Sequence, residues 1–532
     1  MSDDFLTWVL WLSPALACVP AAKGLVHLFQ LSSYQYGGYL QALRRRWKQE
    51  MLPGVALGVL SFGACVAADY LARSGGRLWL LVGAVLTIVA GLALGYATHS
   101  RRRSVKPLRY TPRVVRLFAA LLVVMTLLAV ALRAVLPVLG ASALLPLLLP
   151  LWLALAALLA LPVEQLIKHL YQRDARRILD AQKGLIRIAV TGSYGKTSVK
   201  FFLQTLLRQR YSVLATRGSF NTPMGLTRVI REDMEPAHRV FIAEMGARHR
   251  QDIRELCRLV KPHIGILTAV GPQHLETFGT IERVRDTKYD LIRSLPEDGM
   301  AVFINDGAIV RGLYDQTGGK PRLIVGQPGD DLWAEGVEAT LEGTSFMLCL
   351  KDGTRLRCHT QLIGGHNLQN VLLAAAVARH LGLSDAQLRR GIEALEPVAA
   401  RFKPEKTDDG RTIINNGFNA NPESSRAALE LLKEYAGRRI VVTPGFVEMG
   451  EQEKAFNRQL GERMADSSDL ALLIGPKRTL PIREGLLARG FDEGSIHAFQ
   501  SLKEAQAWID EHKAAGDVVL YENDLPDHYS ES

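Results

Sequence analysis

Cysteine is scarce in this chain, and no two cysteines are close together. Cys18, Cys65, Cys257, Cys349 and Cys358 are the only five in 532 residues, with no Cys-x-x-Cys pair among them. An odd, scattered set excludes a disulfide framework and a zinc–thiolate site, and it suits a reducing compartment. Acidic residues are scarce only in one place. Residues 1–184 hold 7 Asp+Glu against 20 Lys+Arg, whereas the remaining residues hold 46 against 44. The net charge of +11 therefore belongs to the first third alone. The rest has no basic excess with which to grip a polynucleotide, so no nucleic-acid partner is expected.

Where charge is missing altogether, the runs are long. Leu78–Ala97, "LWLLVGAVLTIVAGLALGYA", is uncharged over 20 residues, the length a helix needs to cross a bilayer. Ala143–Val163 is equally clean. Leu52–Ala72 holds one acid, Asp69, near its end. Leu117–Gly140 contains Arg133, which either snorkels to an interface or lines a polar contact. Phe5–Ala22 lacks the basic start and small-residue cleavage site of a removed leader, so it reads as a retained anchor. Five spans are predicted. The cationic stretches "RRRWK" (44–48) and "RRRSVKPLR" (101–109), with Lys168, Arg173, Arg176 and Arg177, all fall on one side of them. Positive-inside counting puts the N-terminus outside and everything after residue 163 in the cytoplasm. The stretch 27–47 mixes aromatics with cations and is expected along the interface, where a lipid-linked molecule would dock.

The remainder opens on a different pattern. "RIAV" (187–190) is a short buried-strand run, "TGSYGKTS" (191–198) follows, and "VKFFLQTLLRQ" continues with helical apolar spacing. This is the strand–loop–helix context of a phosphate-binding loop. Gly192 and Gly195 let backbone N–H groups crowd around phosphate oxygens at a helix N-terminus, and Ser193 and Ser198 complete the loop. Lys196 would meet the β- and γ-phosphates of ATP, and the Thr197 hydroxyl would ligate Mg²⁺. The loop is the short GxxGKT form, because Val190 stands where the longer pattern has glycine. Downstream, "VFIAEMGARHRQDI" (240–253) is a strand ending in Glu244, and "IGILTAVGPQHLETFGT" (264–280) is another with His274 beyond its end. "RDTKYDLI" (285–292) opens a helix with Lys288 near its start, and "GGHNLQN" (364–370) leads a helix with Asn367 and Asn370 one turn apart. Each residue alone admits a plain structural role; their order behind a phosphate loop points to ligands.

Taken in that order, residues 185–530 resemble the Mur ligases, the ATP-dependent amide ligases of peptidoglycan precursor synthesis, and among them the MurF type. The resemblance implies that Lys196 and Thr197 hold the triphosphate and a first Mg²⁺, and that Glu244 and His274 hold magnesium. Lys288 looks like the family's lysine that bridges a second metal and is carbamylated in some members. Asn367 and Asn370 look like the asparagines that bind adenine, and Arg401, in "AARFK", like the arginine that reaches the phosphates from the linker. Lys196, His274, Lys288 and Asn416 are the catalytic candidates.

The chain departs from the family in three places. The loop "NNGFNANP" (415–422) has Asn415 and Asn416 where the family has two aspartates, so an amide stands where a charge would orient a cation. The C-terminus reads "VVLYENDLPDHY" (518–529), with acids Glu522, Asp524 and Asp527 in place of a Lys-Gly-Ser turn. Such acids either favour a substrate ammonium or form a solvated tail. Finally, membrane helices occupy the place of the soluble domain that grips a uridine-diphosphate sugar.

The expected architecture is an N-terminal α-helical membrane domain (1–163), a linker helix (164–184), a central ATP-binding α/β domain with the phosphate loop (185–397) and a C-terminal Rossmann-like α/β domain (398–532). The expected activity joins a carboxylate, through an acyl phosphate, to an amino acid or dipeptide amine. The partners are the bilayer and a lipid-linked peptidoglycan intermediate, and the location is a bacterial-type inner membrane with the catalytic domains in the cytoplasm. A poly-γ-glutamate synthase-like ligase and a non-catalytic nucleotide-binding scaffold are the alternatives. An ATP-driven transporter lacks support, since 185–532 has no LSGGQ-like stretch.

Overall fold

The computed structural model describes residues 3–32, 34–45, 47–100, 107–136, 138, 140–273, 275–340, 342–397, 404–417, 420–447 and 449–523. The chain packs as two compact units that divide after His169.

The first unit is helical: α1 (Asp3–Ala21), α2 (Lys23–Leu31), α3 (Tyr36–Arg45), α4 (Trp47–Gly75), α5 (Leu78–Ser100), α6 (Pro112–Val135), a 3₁₀ segment over Ala141–Leu148, and α7 (Leu149–Ala181). Among the described residues, five stretches are long and apolar enough to cross a membrane: Phe5–Leu31, Trp47–Gly75, Leu78–His99, Pro112–Val135 and Ala141–Ala181. Large apolar side chains such as Val59, Val89, Leu127 and Leu159 lie exposed on them, surface of the kind that lipid covers. Small residues allow close helix contact. A Cβ on Gly95 of α5 would stand 2.0 Å from the Pro20 carbonyl oxygen of α1. Arg133 resolves into a polar contact, its guanidinium 4.3 Å from the Trp8 ring centre and 5.2 Å from that of Trp11. In the stretch 27–47, His27, Leu28, Phe29 and Tyr39 are buried and Phe29 meets Tyr34, Tyr36 and Tyr39 edge-on, while Leu40 and Trp47 lie exposed. The segment expected as a separate linker helix is the distal part of α7, a single 33-residue helix.

The second unit holds two sheets. The first runs through β1 (Ile186–Thr191), α8 (Lys196–Leu207), β2 (Val213–Ala215), α9 (Pro223–Asp233), β3 (Val240–Glu244), α10 (Asp252–Val260), β4 (Ile264–Leu267), α11 (Leu275–Phe278), α12 (Ile281–Arg293), β5 (Met300–Ile304), α13 (Ala308–Gln316), β6 (Arg322–Val325), β7 (Leu332–Thr340), β8 (Gly343–Leu350), β9 (Arg355–Thr360), α14 (Gly365–His380) and α15 (Asp385–Glu393). Its strand order is β2-β3-β1-β4-β5-β6-β7-β8-β9, parallel as far as β7 and antiparallel from β7 to β9. β3 and β4 are buried throughout and nearly all apolar, as strands covered by helices on both faces must be. Register places Val190 beside Glu244 and Thr191 beside Leu267. The loop after β1 therefore lies next to the ends of β3 and β4, where ligands bind in doubly wound sheets.

The second sheet comprises β10 (Pro404–Lys406), β11 (Thr412–Asn416), α16 (Pro422–Lys433), β12 (Arg439–Thr443), α17 (Glu453–Ala465), β13 (Leu470–Ile474), α18 (Leu480–Ala488), β14 (Ile496–Phe499), α19 (Leu502–His512) and β15 (Val518–Glu522), in the order β10-β11-β15-β12-β13-β14. β15 is thus an interior strand, and Asn416 lies beside Glu522 in its register with β11. All five cysteines are buried thiols.

One helix start differs from the sequence reading. α12 begins at Ile281, with Thr280 as its N-cap accepting from the Arg283 N–H. Lys288 is therefore two turns inside the helix, on its buried face. The Thr280 hydroxyl is the stronger start signal, as cap chemistry requires.

Candidate active site

The turn between β1 and α8 owes its shape to two glycines. Gly195 caps α8 at φ +78° and Gly192 sits at φ +155°. A Cβ on Gly192 would fall 1.7 Å from Thr268 Oγ1, and one on Gly195 would fall 2.3 Å from Asn370 Oδ1. Only glycine fits at either place. The loop is also laced to the segment after β4. Ser193 Oγ donates to the Gly271 carbonyl (2.9 Å) and accepts from the Gly271 N–H (3.0 Å), while Thr268 Oγ1 donates to the Tyr194 carbonyl.

Three lysines and one acid occupy the loop's inner side. Lys196 Nζ donates to the carbonyls of Gly192 (2.8 Å) and Ser193 (2.9 Å). Lys288 Nζ, 1% exposed, donates to the same Gly192 carbonyl at 2.8 Å. Burial, reinforced by Lys196, holds the Lys288 amine well below the usual lysine range. On the other side Thr197 Oγ1 donates to Glu244 Oε1 (3.1 Å), and buried Lys200 pairs with Glu244 Oε2 at 3.0 Å. Asn221 Nδ2 donates to Glu244 Oε1 at 3.3 Å, and the Thr216 hydroxyl accepts from the Glu244 N–H. Desolvation lowers the Lys200 amine and Glu244 opposes it. Ser198 is buried one residue further along α8.

Of the residues singled out in the sequence, this cluster unites Gly192, Ser193, Gly195, Lys196, Thr197, Glu244, Lys288 and Asn370. Asn367 lies a turn earlier on α14, its amide donating to the Ile363 carbonyl at 2.8 Å. His274 and Arg401 lie outside the described residues. Lys200, Asn221 and Thr268 were missed. Lys200 had a signal, since it follows Lys196 by one helical turn on the same face; Asn221 and Thr268 reach the site only through tertiary packing.

Asn416 belongs to another cluster. Its Nδ2 donates to both oxygens of Glu522 (2.9 and 3.0 Å), and Ser425 Oγ donates to Glu522 Oε1. Glu522 is fully buried, which pushes its carboxyl up to about 7 against the pull of Ser425 and Asn416. The expectation that Glu522 meets a substrate ammonium or joins a solvated tail is therefore corrected. An interior strand carries it into the core, where it faces Asn416. Two of the three departures from the family pattern touch each other.

A parallel sheet that offers such a loop at the carboxyl ends of its strands, followed by a second α/β domain, defines a nucleotide-dependent bond-forming enzyme. The family comparisons are more particular. The Mur ligase middle domain matches residues 190–378, and the Mur ligase glutamate ligase domain matches residues 400–521. The chain belongs to the Mur ligase family, the ATP-dependent ligases that form carbon–nitrogen bonds. It is 28% identical over 363 residues to the UDP-N-acetylmuramoyl-tripeptide–D-alanyl-D-alanine ligase of Bacillus subtilis, covering 68% of this chain and 75% of that one. MurF ligase from Thermotoga maritima, solved in complex with ADP, superposes with a TM-score of 0.59 at 26% identity, covering 67% of this chain and 80% of its own. MurF from Acinetobacter baumannii shares the fold, with a TM-score of 0.61 at 24% identity over 68% and 78% of the two chains.

Proposed function

We propose that the protein is a membrane-anchored ligase of peptidoglycan precursor metabolism that activates a carboxylate with ATP and joins it to the amine of an amino acid or dipeptide. One observation carries the chemistry: Lys196 and the desolvated Lys288 converge on the Gly192 carbonyl beside the Thr197–Glu244 pair. A fixed cation, Lys196, in a dry site opposes the negative charge that develops on phosphoryl and acyl oxygens. In the first step a carboxylate oxygen bonds to the γ-phosphorus and the bond to ADP breaks. In the second the amine bonds to the acyl carbon, loses a proton, and phosphate leaves. The amine form of Lys288 is also the form that takes up carbon dioxide as a carbamate, the modification seen in some family members.

The donor set suits magnesium. Thr197 and Glu244 offer hard oxygen ligands, and among the described residues no group of three His, Cys, Asp or Glu side chains converges. Mg²⁺ favours such oxygens and usually keeps several waters, bound by one or two protein oxygens and phosphates. Mg²⁺ there would neutralise phosphate charge, while Lys196 orients the loop and Asn367 and Asn370 face the nucleotide.

The membrane part of the reading rests on the five apolar stretches and the one-sided cations. The bilayer would hold a lipid-linked acceptor where soluble relatives grip a sugar nucleotide, with the catalytic domains on the cytoplasmic side of a multi-pass inner-membrane protein. The test is Mg²⁺-dependent ADP release by the full chain in detergent, offered either a lipid-linked or a freely dissolved uridylated muramoyl peptide. The lipid-linked acceptor is expected to win. Equal use of the dissolved peptide removes the membrane-acceptor reading, and no ADP release with either removes the ligase reading for this chain.

A further inference from the structure

The nucleotide-binding sheet has a second end. At the amino ends of its strands, opposite the phosphate loop, the tail of α7, α10, the end of α12 and the turn before β4 line an open cavity of about 960 Å³. Five cations line it, Arg176, Arg254, Arg258, Lys261 and Arg293, against one carboxylate, Asp290. Asp290 is already saturated, accepting from Arg254 at 2.9 Å and from Arg293 at 3.3 Å, so it holds two guanidinium groups in place. Lys261 is drawn aside to Asp180 at 3.1 Å. The other two are not compensated. Arg258 has no ion pair or hydrogen bond among the described residues, and the Nε–H of Arg176 is buried with no acceptor. His263 adds a donor without a charge: its Nδ1 faces the Arg187 N–H at 3.4 Å, which leaves Nε2–H to donate.

Cations at helix C-termini are common because they offset the helix dipole. That explains Arg258 and Arg293, which stand in the last turns of α10 and α12. It does not explain a buried guanidinium N–H with no acceptor, since such donors are normally satisfied. Nor does it explain five cations around a hollow large enough for a small molecule.

We infer that this cavity binds a phosphate-bearing anion, whose phosphate is presented alike by an anionic lipid headgroup and by a soluble phosphate compound. Arginine forks match phosphate oxygens in bidentate fashion. The lipid source is favoured by chain distance, because only residues 164–175 separate Arg176 from the last apolar run.

The test uses the full chain in an uncharged detergent, with calorimetric titration of dihexanoyl-phosphatidylglycerol, dihexanoyl-phosphatidylcholine and inorganic phosphate. The probes are compared on the wild type, Arg258→Gln, the Arg176→Gln/Arg258→Gln pair, and Arg458→Gln as an outside control. A phosphatidylglycerol Kd weakened about tenfold or more in the pair, and partly in Arg258→Gln alone, supports the site. If inorganic phosphate shows the same dependence on the pair, the source is any phosphate; if only phosphatidylglycerol does, it is a headgroup. Lys196→Ala separates this cavity from the phosphate loop, since it must leave the phosphatidylglycerol Kd unchanged. Equal affinities in the wild type and both arginine variants overturn the proposal, as does phosphatidylcholine binding as tightly as phosphatidylglycerol. Because Arg258 is exposed and unpaired, its single variant keeps the test decisive even if the pair unfolds.

Discussion

Two buried polar clusters stand at the carboxyl ends of parallel strands in the two sheets of this molecule, and they solve opposite problems. In the first sheet Lys200 already pairs with Glu244, which leaves Lys196 as a surplus cation beside the desolvated Lys288, and the Gly192 carbonyl accepts from both. In the second, no cation among the described residues pairs with Glu522; an amide and a hydroxyl satisfy it. A cationic surplus in a low-dielectric site is costly unless something anionic belongs there, so it marks a place for a polyanion. A carboxylate satisfied by neutral donors marks nothing of the kind. It closes on itself and keeps its proton to unusually high pH. One cluster thus suits an anionic ligand, and the other is a structural pairing.

The comparison breaks most visibly at Asn416. An Asn416→Asp change sets a second carboxylate against buried Glu522 and is expected to destabilise the chain by about 3–5 kcal/mol at pH 8, read by thermal or denaturant unfolding. Adding Glu522→Lys should recover most of that loss, because each change alone leaves a buried charge without a partner. If the two losses simply add, the clusters are not opposites of the kind described.

At the other sheet, Lys196→Ala removes a fixed cation from the proposed reaction and should cost about 10²–10³-fold in kcat, with folding retained. A variant with full product formation removes the phosphate-loop assignment.

Glu522→Gln tests the pH side of the contrast. Folding raises the Glu522 carboxyl from 4.5 to about 7. Between those values the folded chain holds a proton that the unfolded chain has released, so stability falls as pH rises and levels off above 7. The change is roughly 3 kcal/mol for a shift of this size. Glu522→Gln should flatten that slope and be the more stable chain at pH 8. The smallest effect belongs to an ordinary surface pair: breaking Arg228–Glu232, both half-exposed at 2.9 Å, should change stability by less than about 1 kcal/mol.

What could be read from the sequence was local. The phosphate loop, its strand and its helix occupy one short stretch, and the glycines and Lys-Thr pair declare their chemistry without help from the rest of the chain. The apolar stretches were as plain, because twenty uncharged residues have few other uses. Contacts made across the sequence were hidden. Nothing in "LYEND" shows that Glu522 lies in the middle of a sheet facing Asn416, and a string of acids near a terminus resembles a solvated tail. Lys288 was expected near the start of its helix and lies about a turn further in, because Thr280 caps the helix earlier. The cationic cavity was invisible for a related reason. Its arginines come from three helices, and in each helix, taken alone, they look like ordinary surface charges.

The burial of every cysteine has a practical use. No thiol is offered to solvent in the folded chain, so a thiol-reactive dye should label slowly until something opens. Cys18 and Cys65 lie in the helical unit, while Cys257, Cys349 and Cys358 lie in the α/β unit. Labelling during gradual denaturation, followed by peptide mapping, would report which half gives way first, with no engineered probe.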